Sequence, residues 1–333
     1  MRHGRRSIYL AWCTTLASFC SPLGAYGSHQ WAHMIGWGSV DYHPSSVDAT
    51  ADGGFVIAGY TSSSGLPTDA WIAKLSAAGT ISWQKIFGGA DGDYAEAVRQ
   101  TADGGYILGG YTESFGNGSE GWALKLDASG SVVWQKTYGG TGDDVILSLE
   151  QTGDGGYIFA GRTTSFGAAD SNAWTVKLSA TGTVEWEKRR ATNQAIDLAY
   201  SIKAIAGGVY AMVGIAEGNA GSWDIWFLRI NPTGTATDRH IIGSSKNDLG
   251  KAIDAAGDGG WFVSGYFDSG AGTGYDGLLL KLNSSRSHRR CLEAVWGSHP
   301  GGQGRTSGPQ DLAEKTESTT TPSITDRVEE DSR

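Results

Sequence analysis

Apolar and polar residues alternate along this chain in runs of four to eight, each bounded by Gly, Asp, Ser or Asn. Such runs predict half-buried strands. Helices would need apolar residues at every third and fourth position and tolerate glycine badly. The runs also recur. Asp-Gly-Gly starts at Asp52, Asp103, Asp154 and Asp258, and a degenerate Ala-Gly-Gly starts at Ala206, so the period is 51 or 52 residues. Each opens a strand (DGGFVIAGYT, DGGYILGGYT, DGGYIFAGRT), followed by a second (DAWIAKL, EGWALKL, NAWTVKL, DIWFLRI, DGLLLKL). A third comes next (GTISWQKIFGG, GSVVWQKTYGG, GTVEWEKRRAT), and a fourth run such as AEAVRQT or ILSLEQT leads into the next Asp-Gly-Gly. Four short strands at a period near fifty predict a blade-like sheet. A single such sheet exposes two apolar faces, so the units must pack face to face on one another.

The recurring aromatics are predicted to do that packing. Trp71, Trp122, Trp174 and Trp226 fill one repeat position, with Leu278 in the last unit; Trp83, Trp134 and Trp186 fill another; Phe55, Tyr106, Tyr157 and Trp261 fill a third. The glycine pairs after Asp mark tight hairpins. Gly59, Gly110, Gly161, Gly214 and Gly265, late in the following strand, are expected to let the sheet twist or a neighbour approach closely near the narrow axis. The predicted fold is therefore all-β: a β-propeller of about five four-stranded blades. HQWAHMIGWGS matches the strand that holds Trp83, since Trp31 lies 52 residues before it, while the fifth unit loses its pattern near Leu282. An N-terminal strand completing the last blade would close the ring and remove an exposed edge.

Both ends of the chain depart from the repeat. MRHGRRS is basic, IYLAWCTTLASFC apolar and SPLGAYGS small and turn-prone, which predicts an export signal over 1–27, with the propeller over 28–283. Export implies a periplasmic, extracellular or cell-surface location. Loss of Cys13 and Cys20 would leave Cys291 without a disulfide partner. Residues 284–333 read as a disordered or frameshifted tail. If Leu292–Gly297 are encoded CTG GAA GCG GTT TGG GGG, followed by a serine codon that begins TC, removing the first base gives Trp-Lys-Arg-Phe-Gly-Gly. That is the motif the fifth unit lacks. Composition narrows the partners. The net charge of −9 argues against nucleic acid, which needs a basic surface, and no stretch is long and apolar enough to span a membrane as a helix. Its 51 glycines against 7 prolines suit many tight turns.

GYTSSSGLPTDAWIAKLSAAGTISWQKIFGGADGDYAEAV resembles the bacterial seven-bladed β-propeller (SBBP) repeats through GYT, DxWxxKL, GxxxW and GGxxxD. The likeness covers about residues 29–283 and implies a propeller in an exported protein. KLDASGSVVWQK also resembles the tryptophan-docking repeat of quinoprotein dehydrogenases, one residue short between Asp127 and Trp134. Both likenesses imply a propeller in an exported protein and imply little about activity. Fold alone does not name an activity.

Candidate chemistry is sparse. GGADGDY and GGTGDD place Asp91, Asp93, Asp143 and Asp144 in glycine loops, as Ca²⁺ ligands or as turn caps that accept backbone NH groups. His29 and His33 are too loosely placed on a strand for a zinc site. There is no GxSxG elbow and no Cys–His arrangement in the mature region, so no catalytic residue is assigned. Glu96, Glu120, Glu150 and Glu217 sit at different repeat positions and read as solvated surface groups, although a carboxylate pair for glycoside hydrolysis would look no different. The basic set Lys74, Lys125, Lys177, Arg229 and Lys281 is expected to pair with Asp69, Glu120, Asp224 and Asp276. The repeat breaks at Arg162 and Ile215, where the other units carry Tyr60, Tyr111 and Tyr266, and again in AEGNAGSW. Arg162, Asn219, Trp223 and Asp224 are accordingly the candidate ligand contacts, with Trp223 able to stack on a sugar. The expected function is a non-catalytic binding module for protein or glycan. The alternatives are a polysaccharide-active enzyme and, behind it, a PQQ-type quinoprotein.

Overall fold

A computed structural model describes residues 40–283, except 117, 167–170, 191–196, 218–221 and 269–274, together with 313–314. Five antiparallel sheets follow one another along the chain. The first contains β1 (Asp41–Ala49), β2 (Phe55–Ser63), β3 (Leu66–Leu75) and β4 (Ile81–Phe87); the second β5 (Asp93–Gln100), β6 (Tyr106–Thr112), β7 (Glu120–Leu126) and β8 (Val132–Tyr138). The third contains β9 (Asp144–Gln151), β10 (Tyr157–Thr163), β11 (Asn172–Leu178) and β12 (Val184–Arg190). The fourth contains β13 (Asp197–Ile205), β14 (Val209–Glu217), β15 (Trp223–Ile230) and β16 (Ala236–Gly243), with the two-residue β20 (Ala313–Glu314) beside β16. The fifth has three described strands, β17 (Asp248–Ala255), β18 (Trp261–Asp268) and β19 (Tyr275–Leu282).

This is a β-propeller of five blades. Each sheet after the first lays its leading strand against the three leading strands of the sheet before it. The N-terminal strand expected to complete the fifth blade lies outside the described residues, as do the export signal and nearly all of the tail.

The packing follows the repeat. Trp122, Tyr106, Leu108, Leu124 and Leu126 of the second sheet share one core with Val56, Ala58, Ala70 and Ile72 of the first. Trp174, Tyr157, Phe159, Val176 and Leu178 do the same against Ile107 and Ala123 one sheet later. The second tryptophan set works differently. Trp83, Trp134 and Trp186 are half-buried on the outermost strands and lie over Gly130, Gly182 and Gly234 in the turn of the next sheet. Trp186 Nε1 also donates to the Pro232 carbonyl at 2.8 Å. A side chain at those glycines would strike the indole, so the turn and the tryptophan depend on each other.

The Asp-Gly-Gly hairpin explains itself residue by residue. Gly53 adopts φ +78°, a left-handed turn conformation that glycine alone adopts freely. Gly54 is needed for space, because a Cβ there would sit 2.2 Å from the Leu75 carbonyl oxygen. Asp52 accepts from Thr50 Oγ1 and Gly54 N, and forms a 2.8 Å ion pair with Lys74. The same pair recurs as Lys125–Asp103 (2.9 Å), Lys177–Asp154 (2.8 Å) and Lys281–Asp258 (2.6 Å). This corrects the pairing expected from sequence. Lys74 and Asp69 share β3 five residues apart, so their side chains leave on opposite faces. The fourth sheet has Ala206 in place of the aspartate, and there Arg229 Nε is buried with no acceptor.

A further regularity has no residue signature. Every leading strand carries one β-bulge, and its extra residue is Ser45, Glu96, Leu147, Tyr200 or Lys251 in turn. Opposite the bulge lies the late glycine of the second strand. A Cβ on Gly110 would be 1.9 Å from the Tyr94 carbonyl oxygen, and Gly59, Gly161, Gly214 and Gly265 meet the equivalent carbonyls as closely. The close approach predicted for these glycines is therefore to their own blade's leading strand.

Candidate functional site: an aromatic row at the loop edge

Each leading strand begins, and each second strand ends, at the edge that carries the inter-sheet loops. There the two strands place one residue each directly opposite the other. The five pairs are His43–Tyr60, Tyr94–Tyr111, Val145–Arg162, Leu198–Ile215 and Leu249–Tyr266. In the first two sheets all four members are rings, and they touch in series. His43 stacks on Tyr60 at 4.7 Å between centroids, Tyr60 meets Tyr94 edge-on at 5.1 Å across the sheet boundary, and Tyr94 stacks on Tyr111 at 4.5 Å. The three tyrosines are half-buried and His43 is exposed. Four rings in serial contact, three half-buried and one exposed, offer aromatic surface to a flat apolar face with polar edges.

Two carboxylates border the row. Glu96 is the bulge residue of β5, half-buried, and burial raises its pKa. Burial also raises the Tyr111 phenol, assisted by Tyr94, Glu96 and Glu113, so the hydroxyl stays protonated and able to donate. Glu113 is exposed at the start of the loop that follows β6.

The loops beside the row are tied down by buried aspartates. Asp93 is fully buried and accepts from Gly89 N (2.7 Å), Ser114 Oγ (2.7 Å) and Thr112 Oγ1. Asp144 repeats this with Gly140 N (2.8 Å) and Ser165 Oγ (2.7 Å). Asp91 and Asp143 are exposed; their backbone NH groups donate to Ser114 Oγ (3.0 Å) and Thr164 Oγ1 (2.7 Å). The four aspartates named from sequence therefore split into two buried anchors and two loop-tip residues. Among the described residues no three Asp, Glu, His or Cys side chains gather as a metal-holding group.

Two of the acids expected to pair with the lysines, Asp69 and Asp224, lie near buried aspartates instead. Burial raises the pKa of Asp69, with Asp93 adding to it, and burial raises that of Asp248, with Asp224 adding to it. Asp224, named from sequence as a ligand contact, is fully buried beside Asp248 and belongs to this interior set. Trp223 is half-buried at the head of β15, where its backbone NH donates to Asn247 Oδ1 at 2.9 Å. Arg162, in the third sheet, is half-buried opposite Val145 of the same sheet. Asn219 lies outside the described residues. Of the three contacts among the described residues, Asp224 is interior, while Trp223 and Arg162 stand half-buried in different sheets.

Sequence reasoning noted Tyr60 and Tyr111 as a repeat position but missed His43, Tyr94 and the role of Glu96. A signal was present. Each pair is 17 residues apart, and the leading-strand member follows the repeated aspartate directly in Asp93-Tyr94, Asp144-Val145, Asp197-Leu198 and Asp248-Leu249.

No family model matches this chain, and no curated protein matches it. Solved structures are similar to this chain at low identity. Sqt1 from Chaetomium thermophilum has a TM-score of 0.42 and 11% identity, over 75% of this chain and 71% of that one. Cobalt-substituted Synechocystis ACO has a TM-score of 0.48 and 12% identity, over 78% of this chain but only 62% of that one. The endo-arabinase from Bacteroides thetaiotaomicron has a TM-score of 0.38 and 11% identity, over 71% and 92%. At such scores and identities these likenesses bear on no activity. Among the described residues no helix is long and apolar enough to cross a membrane.

Proposed function

We propose that this chain is an exported, non-catalytic propeller of the SBBP type that binds a glycan along His43, Tyr60, Tyr94 and Tyr111. The observation that carries the reading is the continuous contact of four rings across two blades, at positions where the third and fourth blades have Val, Arg, Leu and Ile. Sugar rings present apolar C–H faces that stack on aromatics, and hydroxyls that donate to the Glu96 and Glu113 carboxylates and accept from the Tyr111 hydroxyl. The net charge of −9 disfavours polyanionic ligands and suits a neutral glycan.

One observation favours a second reading, a polysaccharide-cleaving enzyme. Glu96 is half-buried beside the row with a raised pKa, as a general acid would be. Incubation of the full chain with a panel of neutral polysaccharides separates the two. Saturable binding without new reducing ends supports the module. Release of reducing ends that Glu96→Gln abolishes supports the enzyme.

A further inference from the structure

The loop edge carries two more rings, outside the row. Tyr111 and Arg162 are the last but one residues of β6 and β10, and four residues after each stands a phenylalanine, Phe115 and Phe166, in a repeated Ser-Phe-Gly. The other three blades have Ser64, Asn219 and Gly270 at that repeat position. Phe115 is 38% exposed and Phe166 41%. Both are nonetheless held in place. The serine before each is tied to a buried aspartate, Ser114 Oγ donating to Asp93 and Ser165 Oγ to Asp144, each at 2.7 Å. A Cβ on Gly89 would lie 3.5 Å from Phe115 Cε1, and one on Gly140 would lie 3.4 Å from Phe166 Cε1, so each ring edge rests on the glycine loop before its own or the next sheet.

The backbone gives the sharper sign. Among the described residues Phe166 alone, glycine aside, takes a left-handed φ, +64°. A bulky side chain is costly there, and glycine would make the same turn freely. The Arg189 guanidinium lies over the Phe166 ring, 4.0 Å from its centre, with Arg189 Nε 3.6 Å from Glu187 Oε1. A cation over a partly exposed ring returns little to folding. The strained backbone therefore serves to place the ring. The neighbours of both rings lie away from the row. The row joins leading and second strands, whereas Phe115 tilts against Trp122 of β7, a third strand, at 5.9 Å, and Arg189 belongs to β12, a fourth strand.

We propose that Phe115 and Phe166 are stacking sites for single-sugar branches of a neutral glycan whose main chain lies along His43, Tyr60, Tyr94 and Tyr111. The inference rests on the glycan reading and narrows it to branched polymers. A linear chain on the row has no residue to offer the two phenylalanines, which stand to its side; a branch does. Each ring takes the apolar C–H face of a branch sugar. Beside Phe166, Arg189 donates to the sugar hydroxyls and Glu187 accepts from them.

The test titrates the full chain with oligosaccharides that share a backbone and differ in branching: xyloglucan against cello-oligosaccharides, and galactomannan against manno-oligosaccharides. In at least one pair the branched member is expected to bind about fivefold more tightly. Phe166→Gly should reduce that preference, and Phe115→Ala combined with Phe166→Gly should abolish it. Phe166→Tyr, which keeps a ring, should keep it. The Tm of Phe166→Gly should hold or rise, since the strain is released. Tyr94→Leu should weaken both members of the pair together. Equal affinity for branched and linear members in every pair overturns the inference and leaves the glycan reading standing. So does a preference that survives the double variant, or a lower Tm for Phe166→Gly with the preference intact, which would make the ring a prop for Arg189. Failure of the original chain to bind either member of either pair overturns both.

Discussion

Two sets of positions in this propeller share one backbone and follow opposite rules. At the sheet faces the same residue returns in blade after blade: Trp71, Trp122, Trp174 and Trp226 are all at most 3% exposed. At the loop edge the backbone repeats but the side chains do not. His43–Tyr60 and Tyr94–Tyr111 give way to Val145–Arg162 and Leu198–Ile215. The interface between sheets has one geometry to satisfy, so one solution recurs. The loop edge has no single degree of burial to satisfy, since Val145 and Ile215 are buried, Tyr60, Tyr94, Tyr111 and Arg162 half-buried and His43 exposed, so each blade is free to differ. Recurrence therefore marks the groups that hold sheets together, and divergence marks the place to look for a ligand.

The largest effect should come from breaking a recurrent position. Trp174→Ala removes a buried ring packed edge-on against Phe159 at 4.9 Å, and should destabilise the protein by about 3–5 kcal/mol in urea unfolding. Loss below about 1 kcal/mol would remove the distinction between the two sets. Glycan affinity of the folded fraction should be unchanged.

The hairpin ion pairs should show as acid sensitivity. Burial opposes ionisation of Asp103, but hydrogen bonds from Thr101, Lys125 and Gly105 outweigh it and hold its pKa at about 2; Asp154 is held at about 2 by Lys177, Thr152 and Gly156 in the same way. A carboxyl with a lowered folded pKa adds stability that is full above the ordinary value near 4 and is lost as pH falls toward 2. Unfolding free energy should therefore fall between pH 4 and pH 2. Lys125→Met, which keeps the buried stem, should flatten that fall. An identical pH profile for Lys125→Met and the original protein would show that the pair contributes nothing.

How much of this could be read from sequence depended on whether a feature leaves a residue signature. The period could be read because Asp52, Gly53 and Gly54 each have a separate physical task in the hairpin, so the triplet persists. The tryptophans could be read because a sheet face admits few side chains. The bulges could not, since Ser45, Glu96, Leu147, Tyr200 and Lys251 have no chemistry in common. The lysine partners were misread because two sets of acids share the same period, and only strand geometry separates Asp52 from Asp69 as the neighbour of Lys74. The aromatic row was half legible. Tyr60 and Tyr111 stand in a repeat position, but their contact with His43 and Tyr94 needs the register of β1 on β2 and β5 on β6.

Smaller effects are expected at the diverged edge, where binding should change and folding should not. Tyr94→Leu removes the ring at the centre of the row. It should weaken glycan binding on the order of tenfold, the scale of losing a stacking contact, with a stability change under about 1 kcal/mol. Arg162→Tyr should have the mildest effect, extending the row into the third blade and favouring longer oligosaccharides about threefold over short ones in competition binding. No preference for length would mean that the row ends at Tyr111 for reasons other than side-chain identity.

The most direct measurement is a titration of the full chain, Tyr94→Leu and Tyr111→Leu with neutral oligosaccharides, alongside circular dichroism to confirm that all three are equally folded. The account predicts saturable binding by the original protein and a common loss in both variants at unchanged fold. Equal affinity in all three proteins would contradict it, and so would the absence of binding by the original chain.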